Sequence, residues 1–165
     1  MKNFIFISVV CLSALPEAIQ AQILLTSGNQ PAQTTLRNGI PKGASVYGVF
    51  VGRTPCEELA KELQEVKPGC AKRKLMLVLY HDPITGEPSV YEARGLGKWT
   101  GKGKWRVVRG TPADPLATVF ELELDPDTHL FLLKGDDNVL FILDRNKNFL
   151  IGNAKHSYTM NRAGN

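Results

Sequence analysis

From Ala44 onward the chain is a run of short apolar stretches, each ended by turn-forming residues. This rhythm constrains the fold more than any single motif, because segments of this length with period-two patterning read as strands. Residues 117–125 show it most clearly: Phe120, Leu122 and Leu124 share one face, Glu121 and Glu123 the other. Ser45–Gly52 is a first strand, with Val46, Gly48, Phe50 and Gly52 on one side. Arg73–His81 follows and is apolar on both faces. Asp82–Pro88 reads as a hairpin loop, since Asp-Pro and Thr-Gly both form turns. Ser89–Arg94, Gly97–Arg109, His129–Leu133, Val139–Leu143 and Ser157–Arg162 complete a count of about eight strands. Strands joined in succession make a meander. A meander this long does best by curling into a barrel or half-barrel, which removes exposed edges. The expected fold is therefore mainly β: a single eight-stranded antiparallel, lipocalin-like barrel with one helix after the first strand.

The helix is expected between two cysteines. Thr54 suits an N-cap, Pro55 a first helical position, and Glu57 completes a capping box. Leu59, Leu63 and Val66 recur at helical spacing over about three turns, and Lys67-Pro68-Gly69 is a stop. Cys56 and Cys70 flank this segment. They read as a disulfide, which would stabilise the fold by roughly 3 kcal/mol in the loop-entropy description. Two free thiols or a soft-metal thiolate pair are the alternatives. Thirteen intervening residues is wider than a metal hairpin or a redox dithiol.

The disulfide reading depends on the compartment, which the N-terminus addresses. Met1-Lys2-Asn3 is a positive start, and Phe4–Leu15 is an uncharged apolar run. A dozen residues suits a secretory signal peptide and is too short to span a bilayer. Ile19-Gln20-Ala21 places cleavage after Ala21, so residues 1–21 form the signal peptide. Cys11 then leaves with it. Val10 before Cys11 does not suit a lipobox. No later segment is long enough to cross a membrane as a helix. Residues 22–43, with two prolines and three glycines, read as a flexible lead-in to a domain over 44–163. The expected location is periplasmic or secreted. A net charge of +4, spread along the chain, argues against a nucleic-acid partner.

One set of motifs resembles a known family. Gly48-Val49-Phe50-Val51-Gly52-Arg53-Thr54-Pro55-Cys56 opens the pattern. The apolar strand Leu75–Tyr80 follows, then Gly97-Lys98-Trp99 or Gly103-Lys104-Trp105. Leu143-Asp144-Arg145-Asn146-Lys147 and His156-Ser157-Tyr158-Thr159-Met160 close it. In order and spacing, residues 45–162 resemble the N-terminal domain of the NlpE family. The resemblance implies a lipocalin-like barrel or half-barrel in the bacterial envelope, linked to copper tolerance and envelope stress and not to catalysis. Three features depart from the family: Cys56 and Cys70 are far apart where a Cys-x-x-Cys is usual, Val10 before Cys11 does not make a lipobox, and no second domain is expected. The first weakens any transfer of metal or redox chemistry. The others weaken transfer of a surface-sensing role.

Individual residues suggest little chemistry. His81, His129 and His156 share no local ligand spacing, and Met76 and Met160 are soft donors that more often fill cores. These five are the only metal candidates; copper enters through the resemblance alone, and no cofactor is expected. Asp136-Asp137-Asn138 reads as a turn, because no calcium-loop continuation follows it. No catalytic residues are assigned: no nucleophile–base pair stands out. Trp99 and Trp105 share parity with Gly101 and Gly103 and are the ligand-binding candidates, with core packing as the alternative. The expected function is a non-enzymatic envelope protein that binds an envelope protein or a small ligand. The alternative is a lipocalin-like carrier of a small apolar molecule.

Overall fold

Period-two patterning builds a wall with an apolar inside. A computed structural model describes residues 39–65 and 69–164. The expected signal peptide, Cys11 and most of the expected lead-in lie outside the described residues. The strands are β1 (Val46–Pro55), β2 (Lys72–His81), β3 (Pro88–Arg94), β4 (Gly101–Arg109), β5 (Thr118–Glu123), β6 (His129–Lys134), β7 (Val139–Leu143) and β8 (Thr159–Arg162). Each pairs antiparallel with its sequence neighbours, and β8 returns to β1, so the sheet closes into a barrel. The barrel is thus complete rather than half-formed. Closure leaves no strand edge to recruit another chain.

Inward positions are filled by one continuous core. Phe50, Leu77, Leu79, Tyr91, Phe120, Leu122, Leu132, Leu140, Ile142 and Met160 all belong to it. Gly103 shows how tightly the interior is packed. A Cβ there would sit 2.7 Å from the Tyr91 hydroxyl and 2.6 Å from the Glu123 carbonyl oxygen. Those two atoms already share a hydrogen bond of 3.0 Å, donated by Tyr91.

The helix differs from its expected form. Helix α1 spans Glu57–Glu62, shorter than three turns, and Gln64 at φ 50° turns the chain out of it. Val66, Lys67 and Pro68 lie outside the described residues. Thr54 does not cap the helix: β1 runs on through Pro55, which pairs with Lys72, and Thr54 is carried inside with no exposure. Its capping role passes to a residue a hundred positions away. The Tyr158 hydroxyl accepts the N–H of Glu58 at 3.1 Å. The Cys56–Cys70 disulfide is present, with Cα atoms 5.8 Å apart, and ties the start of α1 to the approach of β2. Leu59 and Leu63 are fully buried in the core, so α1 stoppers this end of the barrel.

The expected strand at Gly97–Arg109 is also divided. Gly97–Trp99 forms a 3-10 turn, and β4 begins at Gly101. Gly97 and Gly101 have φ of 66° and 149°, values that L side chains rarely adopt. The Glu65 carboxylate fills the space beside Gly97 and accepts the Lys98 N–H at 2.9 Å. It also pairs with the buried Arg73 at 2.7 Å.

Candidate functional site

The core residues leave a small space among the described residues. A space of about 10 Å³ lies among Leu75, Met76, Leu77, Ala93, Leu96, Leu122, Leu130 and Met160, about one water in size. At the end opposite α1 the barrel is closed by aromatic rings. Trp105 packs on Phe120 at 5.1 Å, and Tyr47 lies 5.5 Å from each of them. The Arg162 guanidinium lies over Tyr47 and Phe50 and donates to the Tyr47 carbonyl at 2.9 Å.

A larger concavity is on the wall. A groove of about 500 Å³, open to solvent, crosses β3 to β6. Pro88, Ser89 and Val90 form one bank, Lys104, Trp105 and Arg106 the middle, and Glu121, Glu123 and His129 the other bank. Its centre is an ion pair set by strand register. Arg106 and Glu121 are direct partners across β4 and β5, and two hydrogen bonds of 2.8 Å join them. This two-point geometry is the strong form of the arginine–carboxylate contact. Glu121 points outward yet is only 6% exposed. The bond to Arg106 holds its carboxyl below the usual carboxylate range, against an opposing effect of burial. Arg106 is raised in turn by the same bond. His129 Nδ1 lies 3.1 Å from Glu121 Oε1, within ion-pair reach. It makes no hydrogen bond there. The His129 ring stacks on Phe131 at 6.4 Å.

Chemically the groove presents fixed charges and an aliphatic bank. The Ser89 hydroxyl is occupied, donating to the Tyr80 carbonyl at 3.1 Å. Glu121 would have to leave Arg106 before it could accept a proton. The arrangement suits recognition of shape and charge.

The residues singled out in the sequence are dispersed. Trp105 backs the groove, with its Nε1 donating to the Tyr80 carbonyl at 2.6 Å. Trp99 is beside α1 instead, with Nε1 donating to the Leu63 carbonyl at 3.1 Å. The change of backbone at Gly101 breaks their shared parity. His81 ends β2 and meets the Ala44 carbonyl at 2.6 Å. His129 starts β6, and His156 lies in the β7–β8 connection. Met76 alternates with the core residues Leu75 and Leu77 on β2 and is itself buried beside the small interior space, and Met160 belongs to the core. No three His, Cys, Asp or Glu side chains among the described residues converge on a metal position. With Cys56 and Cys70 in a disulfide and the histidines on three separate elements, the donors among the described residues do not form a copper set.

Lys104, Arg106, Glu121 and Glu123 were not singled out as site residues. The outward parity of Glu121 and Glu123 was visible; their partners depend on the register of the β4–β5 hairpin. Comparison of the chain with protein-family models, curated proteins and solved structures finds no match.

Proposed function

We propose that this chain is an exported, non-enzymatic binding domain of the bacterial envelope, similar to the NlpE N-terminal domain, that meets its partner through the β3–β6 groove. One contrast carries the reading: the groove offers about 500 Å³, whereas the space described inside the barrel is about 10 Å³. Binding on the wall needs no rearrangement of the core. A lipocalin-like carrier of a small apolar ligand would have to displace side chains such as Phe120 and Leu122, each at most 2% exposed. Close packing of this kind resists insertion. The copper version of the function finds no support in the donor set, so the proposal is binding of an envelope partner.

The test is a photo-crosslinking residue placed at Val90 or, as a comparison, at exposed Ile151 in cells making the full chain. A discrete adduct from Val90 and none from Ile151 is the expected outcome. Equal or no adducts from the two positions would overturn the groove assignment. N-terminal sequencing of the protein from those cells should begin at Gln22; retention of residues 1–21 would overturn export.

A further inference from the structure

The outward positions of the barrel wall divide by charge. On β5 to β8 they hold no lysine or arginine. On β1 to β4, leaving aside Lys104 and Arg106 in the groove, they hold Arg53, Lys72, Lys74, Arg94 and Lys102. Glu92 is the one carboxylate on the same face of these strands. All five cations are exposed.

Register brings them together. Arg53 and Lys74 are direct partners across β1 and β2. Arg94 lies across from Met76, one outward position along from Lys74, and Lys102 lies across from Glu92. Glu92 pairs with the Arg94 guanidinium, 3.4 Å away. A like-charged pair directly opposite on a sheet is unfavourable. Here no carboxylate lies directly across from Arg53 or Lys74: Glu92 on β3 faces Val78, two outward positions along from Lys74, and outward positions of β8 beside Arg53 hold Thr159 and Asn161.

We propose that this face docks the domain onto an anionic lipid bilayer. Three features favour that occupant over a single bound phosphate or an acidic protein. The strand amides here are consumed by the ladder, so no nest of N–H groups exists to hold one anion. The wall of a barrel is convex and meets a flat sheet of charge tangentially. Exposed side chains such as Arg53, Lys72 and Lys74, which form no ion pair among the described residues, adapt to a fluid layer of phosphates, where an acidic protein would require matched positions. Attraction of this kind is screened within a Debye length, so it falls steeply with salt. The proposal is independent of the groove, which lies around the wall from Arg53 and Lys74.

Co-sedimentation of the processed full chain with vesicles tests it. The expected result is binding to phosphatidylcholine vesicles containing phosphatidylglycerol, none to pure phosphatidylcholine, and release by high salt. Reversing Arg53→Glu and Lys74→Glu together should weaken binding by about tenfold or more, while Lys155→Glu, an exposed change in the β7–β8 connection, leaves it intact. If the double reversal lowers the melting temperature, Arg53→Gln with Lys74→Gln replaces it and should weaken binding to a lesser degree. Failure to bind the anionic vesicles, or binding indifferent to these changes, would overturn the proposal. So would capture by soluble polyglutamate with no capture by vesicles, which would identify an acidic protein as the partner.

Discussion

The two ends of the barrel are sealed by opposite strategies. At one end a contiguous stretch of chain does the work: α1 drops Leu59 and Leu63 into the opening, and the Cys56–Cys70 disulfide holds it there. At the other end the seal is assembled from Tyr47 and Phe50 of β1, Trp105 of β4, Phe120 of β5 and Arg162 of β8. The plug of the first seal is one contiguous segment, covalently fastened and further held by the Tyr158 and Trp99 bonds. The second exists only when the barrel has closed, and each ring supports the others. The difference implies that the helical end can open by itself, whereas loosening the aromatic end loosens the barrel.

Trp105→Ala should have the largest effect. It removes a ring that touches Tyr47 and Phe120 and the bond to Tyr80. A loss of about 3–5 kcal/mol is expected from denaturant unfolding, with hydrogen exchange rising in every strand. A loss confined to β4 would break the comparison.

Cys56→Ala with Cys70→Ala comes next, at about 3 kcal/mol for a loop of this length. Exchange should rise at α1 and the ends of β1 and β2 and remain slow around Phe120. Equal acceleration at both ends would show that they are coupled. Tyr158→Phe is smaller. It removes the acceptor for the Glu58 N–H, so about 1 kcal/mol is expected, read as faster exchange of the first α1 amides.

Arg106→Met is the smallest, because this pair is on the wall and belongs to neither seal. Arg106 is the main cause of the lowered Glu121 pKa. The stability that Glu121 contributes is therefore present above its unfolded pKa and is lost as pH falls through the folded one. The gap between wild type and variant should be widest near neutral pH and close in acid. A gap that persists in acid would assign the effect to lost packing.

What could be read from the residues follows the same division between local and distributed structure. The meander, the helix between the cysteines and their bond are encoded over short stretches such as 54–70, where periodicity and turn chemistry act directly. The local pattern at Thr54 favours a cap, but pairing of Pro55 with Lys72 extends the strand past it. The parity that groups Trp99 with Trp105 fails because Gly97 and Gly101, at positive φ, change the chain direction around Trp99. The Arg106–Glu121 contact and the aromatic seal needed register and closure, which join residues up to more than a hundred positions apart, as in the Arg162 bond to Tyr47.

The seam between β1 and β8 governs how such a molecule comes into being. Three residue pairs join these strands, from Phe50↔Arg162 to Gly52↔Met160, and the Ala163 amide reaches the Val49 carbonyl at 2.7 Å. Closing a loop that long is entropically slow, while neighbouring hairpins form quickly. The chain should therefore assemble as a curling open sheet and zip shut as a late step. Until it does, β1 presents an unpaired rim, and during that interval a second molecule can donate its own β8 to the vacancy.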